Sequence, residues 1–223
     1  MTAYIIDTET TGFKEPELIE FASIEFELDL GAISTKGEYY EQFEPTKAIE
    51  YGALCTHNIL PSELTTCRHH TEFKLPEDAT YLIGHNVDYD WSVIGKPAIK
   101  RICTKALASY LYPELDSHRQ NAMMYFFFGD DAKPLVKDAH NALCDVKNCL
   151  RILTEMLYKL QVYSIEALWE ASELARIPTA MPFGKHKGEP IKTIPESYVH
   201  WLRNQPDVDM YLLKAFDARY AKK

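Results

Sequence analysis

Apolar positions along the chain follow two rhythms, one of strands and one of helices. Ala3-Tyr4-Ile5-Ile6 is a short apolar run that ends in a polar turn, which predicts a buried strand over residues 3–8. Residues 22–28 alternate, with Ala22, Ile24, Phe26 and Leu28 on one side and Ser23, Glu25 and Glu27 on the other. This period of two predicts a half-buried strand paired with the first. Gly37 to Glu44 is a candidate third strand closed by Pro45, and 48–58 suits a short helix. Tyr81-Leu82-Ile83 reads as a short strand, Gly84-His85-Asn86 as its turn, and a helical stretch follows. Residues 101–104 form another short strand that feeds a helix over 105–111, stopped by Pro113. Gln120–Phe128 reads as helix ending at Gly129. From about 139 to 160, Leu143, Val146, Leu150, Leu153, Met156 and Leu157 recur at helical spacing. Ser164 suits the N-cap of a last helix over 165–176, closed by Pro178. Strands first, with helices between and after, predict an α/β layered fold.

Charge then divides the chain. Residues 180–223 hold eight Lys/Arg and five Asp/Glu, a formal +3, whereas residues 1–179 carry a formal −12. With Ile177-Pro178-Thr179-Ala180-Met181-Pro182 as a linker, the expected division is a domain over 1–176 and a small basic module over 177–223. The net charge of −9 argues against a protein that coats nucleic acid non-specifically, but not against one that grips a strand end with bound cations. No apolar run approaches a membrane span, and the first residues lack the basic start of a secretory signal. Five cysteines, an odd number without a C-x-x-C pair, predict reduced thiols and a cytoplasmic protein.

Three short segments carry candidate chemistry. Asp7 and Glu9, two apart at the end of a buried strand, point to one face, where two carboxylates repel unless a cation offsets them. Taken alone the pattern is common among solvated or salt-bridged acids. His85-Asn86-Val87-Asp88-Tyr89-Asp90 opens a helix, and its polar residues have helix capping as their plain reading. Asp90, inside the helix, fits capping less well. His140 and Asp145 lie five apart, about 140° around a regular helix, so they share a site only if His140 precedes the helix and Asp145 sits on its first full turn. Asp138 is a candidate cap for that helix.

In this order, D-x-E-T-T-G, H-N-x-x-[FY]-D and H-x-x-x-x-D resemble the motifs of the DEDD exonuclease superfamily in its histidine-bearing branch, DEDDh, over roughly residues 3–160. The tyrosine branch would want Tyr at 141, where this chain has Asn. The resemblance implies an RNase H-like α/β fold, a mixed five-stranded sheet flanked by helices, with the small C-terminal appendage beside it. It also implies a metal-dependent 3′→5′ exonuclease that releases nucleoside 5′-monophosphates. Asp7, Glu9, Asp90 and Asp145 would hold two Mg²⁺ or Mn²⁺, hard cations that suit oxygen ligands, and His140 would be the general base. Thr10, Thr11, Gly12, Phe13, His57 and Asn86 are the implied substrate contacts, with Phe13 against the terminal bases or, in its plain reading, a core residue. Asp88, two before Asp90, could compete for the metal.

The tail narrows the resemblance. Met181-Pro182-Phe183-Gly184-Lys185-His186-Lys187-Gly188 and 194–202 look like the C-terminal module of the exodeoxyribonuclease X subfamily, as does the segment 102–113. That implies DNA 3′ ends as the partner, single- or double-stranded, in DNA repair, with no membrane and a homodimer as one option. The lysines and aromatics of the tail suit a nucleic-acid grip, or else a small module whose aromatics are its core. Alternatives are an RNA trimmer of the RNase T or oligoribonuclease type, an inactive nucleic-acid-binding module, and a zinc protein built on Cys67, His69 and His70.

Overall fold

The structure, a computed structural model, describes residues 2–137, 139–206 and 208–219. Six strands form one mixed sheet in the order β4-β3-β2-β1-β5-β6. They are β1 (Thr2–Thr10), β2 (Leu18–Asp29), β3 (Ala32–Glu44), β4 (Arg68–His69), β5 (Ala79–Gly84) and β6 (Lys100–Cys103). The expected five strands are all present. The sixth, β4, is two residues long and pairs parallel to the end of β3, too short to leave any periodic signal. β3 also begins five residues earlier than its sequence suggests. Its first half is mostly exposed, so polar residues there carry no alternation to read.

The helices are α1 (Tyr51–His57), α2 (Pro61–Leu64), α3 (Asp88–Val93), α4 (Thr104–Leu111), α5 (Gln120–Phe128), α6 (Ala132–Leu135), α7 (Ala142–Leu160), α8 (Ile165–Ala175), α9 (Glu196–Arg203) and α10 (Met210–Ala218). Ser164 caps α8 as expected, its Oγ accepting the Ala167 N–H at 3.2 Å. No helix among the described residues is long and apolar enough to cross a membrane. All five cysteines are free thiols.

The chain divides into two compact units, Met1–Ser172 and Glu173–Lys223, a little before the linker expected from composition. In the first, β1 runs antiparallel to β2 and parallel to β5, with Ala3 opposite Phe26 on one side and Tyr81 on the other. β5 in turn runs parallel to β6. The carboxyl ends of β1, β5 and β6 therefore share one edge, the place where open α/β sheets gather ligands. Gly84 belongs at that edge because a Cβ there would meet Ile6 O and Val87 Cβ at 3.2 Å.

Helix α7 packs across β1 and β2. Its buried face runs through Val146, Cys149, Ile152, Leu153 and Met156, and Ile5, Ile24 and Phe26 are buried in the strands it packs on. Leu143 and Leu150 are only half-buried, so the true face is turned from the one that leucine positions alone suggest. Each such side chain contributes roughly 1.5–3 kcal/mol by burial. This anchoring fixes where the start of α7 stands over the end of β1.

The second unit has its own core of Met181, Ile191, Ile194, Val199, Leu202, Leu212, Ala215 and Phe216. Asp209 caps α10, its Oδ1 accepting the N–H groups of Tyr211 and Leu212 at 2.9 Å each.

Candidate active site

The end of β1 supplies Asp7 and Glu9, both half-buried on the same face of the strand, as the period of two requires. Asp90 reaches them from the first turn of α3. It is 5% exposed, and its Oδ1 accepts the backbone N–H of Thr8 at 3.0 Å and the Thr8 hydroxyl at 2.7 Å. A helix thus docks on the strand through a carboxylate. The polar residues before it do not cap it: the N-cap position is Val87, without a side-chain bond. His85 Nε2 instead donates to His118 O at 2.8 Å, and its Nδ1 lies 3.0 Å from Thr104 Oγ1. Burial pushes its pKa down to about 4, so this imidazole is neutral.

Asp145 and His140 come from the start of α7. The N-cap is Asn141, whose Oδ1 accepts the Cys144 N–H at 3.1 Å, while Asp138 lies outside the described residues. His140 precedes the helix in the left-handed region, φ 68°, and is exposed. Its backbone N–H donates to Asp145 Oδ2 at 2.8 Å, and Gln120 Nε2 donates to Asp145 Oδ1 at 2.9 Å. Ligand atoms of Glu9, His140 and Asp145 all lie within 4.8 Å of one another. Asp7 and Asp90 stand outside this tightest group but line the same cavity of about 580 Å³.

The electrostatics are those of a cation site. Burial, then Asp90, Asp145, Glu9 and Glu20, hold the Asp7 carboxyl well above its ordinary value. Burial, then Asp145 and Glu20, push Glu9 up to about 9. Burial raises Asp90 to about 7 against the lowering effect of the Thr8 hydrogen bonds. Asp145 is also raised by burial, opposed by the His140 N–H. Converging carboxylates with lifted pKa values need positive charge to ionise together, and their oxygens suit a hard divalent ion. Among the described residues, Cys67, His69 and His70 form no comparable group. His69 and His70 instead face Thr46 and Glu17.

The implied substrate contacts separate. Phe13 and Asn86 line the cavity. Phe13 is 87% exposed and meets Tyr89 edge-on at 6.0 Å, so it is no core residue. Thr10 and Thr11 are buried. The Thr10 hydroxyl lies 2.6 Å from Tyr89 Oη, and Thr11 Oγ1 accepts the Glu17 N–H. Gly12 presents its carbonyl to Tyr89 Oη, and the Glu50 carboxyl fills the space a side chain would take. His57 is buried, with Nδ1 accepting the Ile59 N–H at 3.0 Å, and its neighbour Thr56 lines the cavity instead. Asp88 pairs with Arg101 and does not line the cavity.

Several residues carry no motif signal. Glu20 is 1% exposed and lies opposite Glu9 in the β1–β2 ladder. Its Oε1 accepts the Ala142 N–H at 2.7 Å and Asn141 Nδ2 at 3.3 Å, while Oε2 accepts Tyr40 Oη at 2.7 Å and Gln42 Nε2 at 3.1 Å. It ties β2 to the start of α7. An acid inside the apolar run Leu18-Ile19-Glu20-Phe21-Ala22 was the available signal. Gln120 holds Asp145, and Lys105 and Arg119 bring positive charge to the cavity wall.

Residues 170–207 match a family model described as "Putative quorum-sensing-regulated virulence factor". Exodeoxyribonuclease 10 of Escherichia coli strain K12 is 23% identical over 208 residues, 91% of either chain. A solved structure described as "Exonuclease X in complex with 5' overhanging duplex DNA" superimposes with a TM-score of 0.55 at 19% identity, covering 76% of this chain and 99% of that one. The nuclease domain of 3'hExo, a DEDDh family member bound to rAMP, gives a TM-score of 0.51 at 15% identity over 71% of this chain and 92% of its own. The chain thus shares the fold of these nucleases, is similar to an exodeoxyribonuclease along nearly its whole length, and gathers four carboxylates and a histidine around one cavity.

Proposed function

We propose that the protein is a metal-dependent 3′→5′ exodeoxyribonuclease that removes nucleoside 5′-monophosphates from DNA 3′ ends, in DNA repair. The convergence of Asp7, Glu9, Asp90, Asp145 and His140 on one cavity, at the carboxyl ends of β1 and its neighbours, carries this reading. Residues 1–176 are the nuclease domain and 177–223 an accessory module. DNA is favoured over RNA because the relative matched along the chain is an exodeoxyribonuclease.

Asp7, Glu9, Asp90 and Asp145 would hold two Mg²⁺ or Mn²⁺. When bound, such ions supply positive charge to the scissile phosphate and to the attacking and leaving oxygens. As the resemblance implies, Asp7 would serve both ions, Glu9 and Asp145 would help hold the one that activates water, and Asp90 would help hold the other. His140, exposed at the mouth of the cavity, takes the proton of the attacking water. Water adds to phosphorus, the P–O3′ bond breaks, and the strand keeps a 3′-hydroxyl. Phe13 and Asn86 face the terminal nucleotides. Thr10 and Gly12 shape the wall behind them through Tyr89, and the buried Thr11 and His57 support it from within.

Incubation of 5′-labelled single- and double-stranded DNA, with a matched RNA, tests the reading in Mg²⁺ and in chelator. The expected result is a ladder shortening from the 3′ side on DNA, lost in Asp7→Ala, in His140→Ala and without metal. An unaltered ladder in both variants overturns the site, and faster RNA cleavage overturns the substrate.

A further inference from the structure

Phe216 and Tyr211 are buried in the C-terminal unit, but Phe183 and Trp201 are not part of its core. Phe183 is 44% exposed and Trp201 51% exposed, on a unit whose interior is filled by aliphatic residues and Phe216. Three rings stand in a row: His186 lies 4.6 Å from Tyr198, and Tyr198 lies 5.2 Å from Trp201. The row is built in. Tyr198 and Trp201 are three apart on α9 and so share a face. His186 is held in a turn closed by Met181 and Glu189, through Met181 N–H to Glu189 O and Gly188 N–H to Met181 O, each 2.8 Å. Gly184 keeps the turn close, since a Cβ there would meet Tyr198 Oη at 2.8 Å.

Two exposed ammonium groups flank that histidine. Lys185 and Lys187 have no carboxylate partner among the described residues, and the nearby Glu189 carboxylate is taken by His186 Nδ1 at 2.9 Å. The excess positive charge of residues 180–223 stands against a strongly acidic remainder of the chain. An exposed indole at the end of a ring row, beside unpaired lysines, matches the two features of a single strand: stackable bases and a phosphate every residue.

We propose that this face of the C-terminal unit is a second nucleic-acid contact, binding an unpaired strand by stacking bases on Trp201 and holding phosphates at Lys185 and Lys187. It goes beyond the hydrolytic site and shares with that reading only the class of ligand. A strand held there stays tethered while its end is trimmed, which raises the local concentration of ends.

The test uses the full chain in chelator, so that nothing is cleaved, with a 5′-fluorescein-labelled dT₂₀ followed by fluorescence anisotropy. Trp201→Ala should weaken binding about tenfold or more at low salt, and Trp201→Phe should recover most of it. Lys185→Ala with Lys187→Ala should reduce the slope of log affinity against log salt by about 1.4, two contacts at about 0.7 each. Hydrolysis of a thymidine 5′-phosphate nitrophenyl ester, which has no strand to tether, should be unchanged in these variants. Affinities within twofold of the parent and an unaltered salt slope overturn the proposal, which is also the outcome expected if a protein occupies this face. Failure of the ester to be cleaved by the parent would strike the nuclease reading and leave the binding result standing.

Discussion

The backbone N–H of His140 donates to Oδ2 of Asp145 at 2.8 Å, so two residues five apart in sequence are held as one unit. The bond is possible because His140 is bent into the left-handed region before α7 begins. The main chain orients the carboxylate, and the imidazole is left exposed. Replacing the ring therefore removes the proposed base without removing the bond. His140→Ala should lower kcat by about 10²–10⁴-fold, the usual worth of a positioned base, with little change in KM. Single-turnover kinetics on a labelled oligonucleotide check this. A rise in KM with kcat preserved would make His140 a binding residue instead.

Stability should depend on pH in the direction opposite to that of a protein held by ion pairs. Glu9 is raised to about 9 and Asp90 to about 7, both chiefly by burial. Between an unfolded value near 4 and these raised values, the folded protein binds more protons than the unfolded chain. Their contribution is thus fully present below about pH 4 and is lost as pH rises through 7 and then 9. Calorimetry in chelator should show Tm falling from pH 5 to pH 9. Added Mg²⁺ should raise Tm more at pH 8 than at pH 5, because only the ionised carboxylates bind it. A Tm without pH dependence in this range would contradict the raised values.

Much of this site was legible in the sequence because its signals are local. The alternation of β2, the run of β1 and the i, i+3, i+4 spacing of α7 each arise within one element. Asp7, Glu9, Asp90, His140 and Asp145 fall at element ends that those rhythms delimit. What was not legible depends on partners far along the chain. Glu20 looks like any acid in a strand until Ala142 and Asn141 arrive opposite it. Lys105 and Arg119 face the cavity only because α4 and α5 start beside it. The short helices α9 and α10 have no counterpart among the expected elements, and whether the tail's aromatics were core or surface required the packing itself.

Glu20 offers a sharp test of that long-range tie. All four groups around its carboxylate are donors, and both of its oxygens accept. Glutamine would turn an NH₂ toward at least one of those donors. Glu20→Gln should therefore cost about 1–3 kcal/mol in urea denaturation, the penalty of a buried donor left unpaired. It should also lower kcat, because the start of α7 carries His140 and Asp145. A stable variant with full turnover would show that the helix start is fixed by the packing of α7 alone.

Phe13 separates a ring kept for packing from a ring kept for a ligand. It is 87% exposed, lines the cavity and touches Tyr89 only by its edge. Removing so exposed a side chain should change folding stability by no more than about 0.5 kcal/mol. If bases stack on it, Phe13→Ala should still weaken oligonucleotide binding by about 1–3 kcal/mol per lost stack, seen as a raised KM with kcat less affected. Phe13→Leu should lie between, since it restores apolar area without the π-face. Equal KM values for all three proteins would remove Phe13 from the substrate path and leave Tyr89, buttressed by Thr10 and Gly12, as the aromatic group at the cavity wall.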